Sequence, residues 1–152
     1  MAQSLSENIV HIVFSTQHRR PSLVEAIRPE LYGVMATLAE RQKSHAYRVG
    51  GVEDHVHMAV RLHPTVALSQ FIGTIKGESA KWIKKREGDR GIPEFAWQKG
   101  YGAFSIGRSA LPDLIAYIDK QEEHHRVRTF KEEFRTFCEK YDVSLDERYV
   151  WD

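Results

Sequence analysis

Gly51-Val52-Glu53-Asp54-His55-Val56-His57-Met58-Ala59-Val60 is the stretch on which the fold turns. It alternates as a strand does from His55 onward, and side chains at i and i+2 of a strand share a face. His55 and His57 therefore stand side by side, while Val56, Met58, Val60 and Leu62 point the other way, into a core. Two imidazoles on one face are spaced to hold a single metal ion. The plain alternative is a pair of solvated or hydrogen-bonded histidines that bind nothing. Two ligands also leave an ion's coordination unfilled, so other parts of the chain must supply a further ligand and the chemistry.

On either side of this stretch the pattern resolves into elements. Residues 9–16 form a first strand, rich in β-branched residues and free of breakers. Pro29 suits an early position in a helix reaching about Lys43, with Leu31, Val34, Met35 and Leu38 on its buried face. Residues 45–53 make a second strand interrupted by Gly50-Gly51, and Asp54 marks a tight connection into the strand of the two histidines. Residues 65–86 form an amphipathic helix carrying Leu68, Phe71, Ile72, Ile75, Trp82 and Ile83. A loop over 87–93 leads to a fourth strand from about Phe95 to Ile106. A third helix spans 112–126 with Leu111, Leu114, Ile115 and Ile118 as its stripe. Thr129 and Glu132 read as a capping box opening a fourth helix with Phe130, Phe134, Phe137 and Tyr141. The acidic, aromatic tail over 142–152 has no assignment. The order β-α-β-β-α-β is that of an α+β, ferredoxin-like sandwich: an antiparallel sheet with one face under helices. The other face is expected to be open, with His55 and His57 on it, within reach of a substrate or a partner subunit.

With 152 residues and 41% hydrophobic content, the chain is a single domain, 1–152, able to bury a real core. Its central part is about 8–126, and 127–152 forms an added helix and tail. No segment has the length of a membrane span and the N-terminus lacks a signal-peptide pattern. Cys138 alone allows no internal disulfide, so a reducing, cytoplasmic setting is expected. Balanced charge, 22 basic against 21 acidic residues, does not announce a nucleic-acid binder. Such a role must rest on a local patch. Arg19 and Arg20 beside the first strand, and Lys76, Lys84 and Lys85 on the second helix, are the candidate DNA contacts. Cations near a helix C-terminus are also explained by the helix dipole alone. Trp97, Tyr101 and Phe104 could stack bases or simply pack.

Tyr117 and Gln121 lie four residues apart on the third helix, one turn above the other. One reading is a tyrosine bordering the core and a surface glutamine. The other is chemical: the Gln121 amide oxygen as third metal ligand and Tyr117 as a phenolic nucleophile. A phenol with a pKa near ~10 needs help to attack, and a divalent cation can polarise a phosphodiester and stabilise a departing 3′ oxygen. The product would be a covalent phosphotyrosine, which keeps the energy of the broken link for rejoining. Nitrogen and amide oxygen donors suit Mg²⁺ or Mn²⁺ better than structural zinc. His11 falls on the face of His57 and is expected behind the metal ligands. His124 and His125, one turn past Gln121, could sit near the metal but read better as surface residues; Asp54 reads as a turn residue and Cys138 as a buried apolar one.

Three stretches together resemble the single-tyrosine HUH transposases of small bacterial insertion sequences (TnpA-like) and their relatives, the REP-associated tyrosine transposases. They are residues 9–16 with Arg19-Arg20-Pro21, then Asp54-His55-Val56-His57, then Tyr117-Ile118-Asp119-Lys120-Gln121. The likeness covers about residues 8–126. It implies cleavage and rejoining of single-stranded DNA, at hairpin-bearing element ends, through a 5′-phosphotyrosine with Mg²⁺ or Mn²⁺. It also implies His55, His57 and Gln121 as ligands, Tyr117 as nucleophile, and a homodimer in which the tyrosine helix can serve the partner's histidines. Gly107, in the segment 105–109 before that helix, would be the hinge. A reading from another class stands beside it: a noncatalytic or domesticated ferredoxin-like nucleic-acid-binding protein. A third is a metal-dependent hydrolase that uses water.

Overall fold

The computed structural model describes residues 2–86 and 91–152. Its elements are β1 (Ile9–Ser15), α1 (Arg28–Arg41), β2 (His45–Gly51), β3 (His55–Arg61), α2 (Leu68–Lys84), β4 (Gly102–Ile106), α3 (Leu111–Asp119), α4 (Gln121–His124) and α5 (Phe130–Lys140). The four strands form one antiparallel sheet in the order β2-β3-β1-β4, the ferredoxin-like arrangement expected from the element order. Its register sets Val13 opposite His57 and Ser15 opposite His55.

The strand alternation sorts side chains as expected. Val10, Ile12 and Phe14 of β1 and Val56, Met58 and Val60 of β3 join Leu31, Met35 and Leu38 of α1 and Phe71, Ile72, Ile75 and Ile83 of α2 in the main core. Each such side chain contributes roughly 1.5–3 kcal/mol by leaving water.

The other face is not open. Leu111, Leu114 and Ile118 of α3 cover Ile9 and Ala59. Phe130, Phe134 and Cys138 of α5 cover Val13 and Phe104, and Leu145, Val150 and Trp151 of the tail pack against them. The reason is visible in β1, which is buried along its whole length. A strand that is buried on both faces needs two covering layers. Gly50 brings α3 close: a Cβ there would lie 2.7 Å from Ile118 Cγ2.

Several boundaries move. The fourth strand does not begin at Phe95; Phe95 and Trp97 are core side chains and the ladder runs only over Gly102–Ile106. The preceding segment pairs with β1 only at that strand's end, through an isolated bridge of Trp97 with Thr16, and then meets the C-terminus. Gln98 N donates to Ser15 O at 2.9 Å, and Lys99 N to Asp152 O at 2.7 Å. The third helix is two helices, divided at Lys120 (φ −102, ψ 19). α1 stops at Arg41, and Lys43 has φ 61. The capping box at Thr129 and Glu132 is present. Of the 87–93 loop, 87–90 lie outside the described residues.

Candidate active site

His55 and His57 project from β3 into the space between the sheet, α3, α4 and α5, and both are fully buried. Each ring is held by one nitrogen. His55 Nδ1 lies 2.7 Å from Asp54 Oδ1, and His57 Nδ1 lies 2.7 Å from His11 Nε2. Asp54 thus orients His55, besides serving the turn through its carbonyl, which accepts from Thr16 N at 2.8 Å. His11 stands behind His57 as its strand position implied. Holding one ring nitrogen from behind fixes the aim of the other, the usual support for a metal-binding imidazole.

The two free Nε2 atoms converge. His55 Nε2 is 3.1 Å from Gln121 Oε1 and 3.4 Å from Glu133 Oε1. His57 Nε2 is 3.1 Å from the same Glu133 oxygen. The Tyr117 hydroxyl donates to Glu133 Oε2, and Gln121 Nε2 approaches that oxygen at 3.4 Å. The Tyr117 ring is 5.8 Å from that of His57 and stacks on His124 at 4.6 Å. Tyr117 and Gln121 therefore meet the histidines of their own chain, but from separate helices, not from adjacent turns of one.

Glu133 is the site residue that sequence reasoning missed, and His125 is one it weighed beside the metal but placed on the surface. His125 is not a plain surface residue: its Nε2 is buried with no hydrogen-bond partner among the described residues, although it lies 3.3 Å from Glu133 Oε2. The signal for Glu133 lay in its phase. It sits three residues after Phe130 and one before Phe134, so it is a carboxylate on the apolar face of α5.

The buried charges dictate the protonation balance. Burial disfavours an ionised Glu133, but the close approach of His125, His55 and His57 overcomes it and holds the carboxyl far below its usual range. Burial also opposes a charged His55; bonds to Asp54 and Glu133 outweigh it and raise His55 to about 9. His57 and His11 are pushed down, chiefly by burial. Burial and the Glu133 charge push the Tyr117 phenol well above its ordinary value.

The donor set fits a divalent cation. Ligand atoms of His55, His57, His125 and Glu133 all lie within 4.8 Å of one another, the Gln121 amide oxygen borders them, and the unpartnered His125 Nε2 faces the group. Imidazole nitrogen and carboxylate oxygen donors together are a set that divalent ions take.

The DNA-contact candidates lie elsewhere and divide. Lys76 is committed to the fold: its Nζ donates to the carbonyls of Gln98, Lys99 and Gly100 and sits 5.1 Å over the Phe14 ring. Its burial lowers it to about 8. Arg19 donates to Trp151 O at 3.1 Å. Arg20, Lys84 and Lys85 are exposed.

A four-stranded antiparallel sheet whose central strand offers paired histidines to a tyrosine and a glutamine is the arrangement expected of the transposase class that the sequence resembles. The sequence model described as "Transposase IS200 like" matches residues 4–121, and the chain belongs to that family, whose function is DNA transposition. It is 26% identical over 121 residues to the transposase for insertion sequence element IS200 of Salmonella typhimurium. The match covers 77% of this chain and 78% of that one. The corresponding Salmonella typhi transposase matches equally. In fold, the chain resembles a structure of a REP-associated tyrosine transposase bound to a REP hairpin. That comparison has a TM-score of 0.61 and 13% identity, covering 82% of this chain and 72% of that one. It also resembles a crystal structure from Deinococcus radiodurans R1 assigned as a transposase. There the TM-score is 0.59 at 17% identity, covering 80% and 95% of the two chains.

Proposed function

We propose that this transposase cleaves and rejoins single-stranded DNA through a covalent 5′-phosphotyrosine on Tyr117, with Mg²⁺ or Mn²⁺ held by His55, His57 and Gln121. The observation that carries the reading is the meeting of Tyr117 with these three residues around Glu133. When bound, the cation polarises the phosphodiester and eases departure of the 3′ oxygen. Asp54 and His11 keep the two imidazoles aimed. Tyr117 forms a bond to phosphorus as the bond to the 3′ oxygen breaks, and its hydroxyl proton has an acceptor in place at Glu133 Oε2. A phenol held well above its ordinary pKa is a weak nucleophile until that proton moves. The reverse attack by a free 3′-hydroxyl restores the DNA and the tyrosine.

The DNA partner is a single strand, with hairpin-bearing element ends as substrate. The hairpin-bound relative supports this reading. Arg20, Lys84 and Lys85 are the cations free to meet phosphate. Replacing both lysines with alanine should flatten the salt dependence of binding by roughly 0.7 per lost phosphate contact.

Incubation with single-stranded hairpin DNA and Mn²⁺ should yield a protein–DNA adduct that survives denaturing electrophoresis. Tyr117→Phe should abolish it; an adduct persisting in that variant would remove Tyr117 as nucleophile, and strand cleavage with no adduct would point to water-using hydrolysis. The homodimer belongs to the same proposal, with the site working in cis as the single chain arranges it. Mixing Tyr117→Phe with His57→Ala subunits should then restore no activity. Restored activity would show that the tyrosine helix serves the partner.

A further inference from the structure

We propose that Glu133, carried by α5 beyond the matched span 4–121, is itself a ligand of the metal ion, completing a site of His55, His57, Gln121 and Glu133. The proposal rests on the reading of His55 and His57 as metal ligands. Adjacent donors at right angles around an ion with bonds of about 2.1 Å stand roughly 3.0 Å apart. The observed spacings around His55 and His57 come close to this. Glu133 Oε1 is 3.1 Å from His57 Nε2 and 3.4 Å from His55 Nε2, and Gln121 Oε1 is 3.1 Å from His55 Nε2. Glu133 is 2% exposed, and a buried carboxylate is retained where a cation meets it. Two imidazoles and an amide are neutral when they ligate, so Glu133 supplies the charge that a divalent ion needs in a buried site.

The carboxylate also bridges. Oε1 faces the histidine nitrogens, while Oε2 receives the Tyr117 hydroxyl. One side chain thereby ties the nucleophile to the ion, and α5 becomes part of the active site.

A hydrogen bond to a protonated imidazole has the same spacing, and the two roles predict opposite effects. A ligand strengthens metal binding; a plug competes with it. Free Mn²⁺ can be counted by electron paramagnetic resonance during titration of EDTA-stripped protein without DNA. Glu133→Gln should weaken Mn²⁺ binding about tenfold or more, and Glu133→Asp, which shortens the reach, should also weaken it. The exposed Glu139→Gln on the same helix should leave it unchanged. The rise in melting temperature on adding Mn²⁺ should shrink in Glu133→Gln, while circular dichroism of the metal-free variant stays that of the parent. Binding by Glu133→Gln as tight as or tighter than the parent's overturns the proposal, and so do equal losses in the Glu139 control. His57→Ala separates the two levels. If it loses Mn²⁺ while Glu133→Gln does not, the metal centre stands and Glu133 falls. If the parent binds no Mn²⁺, or His57→Ala binds as well as the parent, both fall.

Discussion

At the scale of single residues, the site depends on small, exacting placements. Gly50 is one of them, because a Cβ there would meet Ile118 Cγ2 at 2.7 Å and the Ile118 carbonyl oxygen at 3.1 Å. Gly50→Ala should force α3 away from β2 at a cost of about 1–3 kcal/mol. Thermal melting would register the loss, and Tyr117, one residue before Ile118, should form adduct more slowly. An unchanged melting curve and adduct rate would show that Ile118 yields freely. His55, His57, Tyr117 and Gln121 were legible in the sequence because strand period and motif spacing fix them. Glu133 was not, since no local rule joins a carboxylate on a fourth helix to histidines on a third strand.

At the scale of elements, the lesson of Lys76 is that a lysine on a helix need not be there for solvent or DNA. Its ammonium ties α2 to the segment before β4 through three carbonyls. Lys76→Met keeps the aliphatic stem and removes the donors. Losing the charged partner of half-buried carbonyls costs about 1 kcal/mol, so the urea midpoint should fall, while the salt dependence of DNA binding should not change. A clear drop in that salt slope would return Lys76 to the DNA-contact residues. The same segment shows why the fourth strand was overextended in the sequence reading. The residues around Phe95 and Trp97 have strand composition, yet they pair with the end of β1 only through an isolated bridge, Thr16 to Trp97, and their neighbours then turn to the distant tail. Helix α5 was legible because its capping box and aromatic stripe are local signals. The position of the tail was not, because it is set by long-range contacts such as Arg19 to the Trp151 carbonyl.

At the scale of the molecule, one sheet serves two cores. The ferredoxin-like layer was readable from element order, but the second layer was hidden in a strand whose second face mixes Ile9 and Val13 with His11 and Ser15. Removing residues after 126 would uncover Val13, Phe104 and the two histidines together. Such a truncation should bind a hydrophobic dye, unfold at lower temperature than the parent and lose tight Mn²⁺ binding; a truncated chain with the parent's melting temperature would show the second layer to be dispensable. No helix among the described residues is long and apolar enough to cross a membrane, and the apolar aromatics of α5 are spent on this second core. The joint at Lys120 carries a last consequence. An unbroken helix would weld Tyr117 and Gln121 into one lever, so that any tilt of the phenol dragged the amide with it. With the axis interrupted, α3 and α4 are two short arms on one elbow, and each brings its own side chain to the cluster around Glu133.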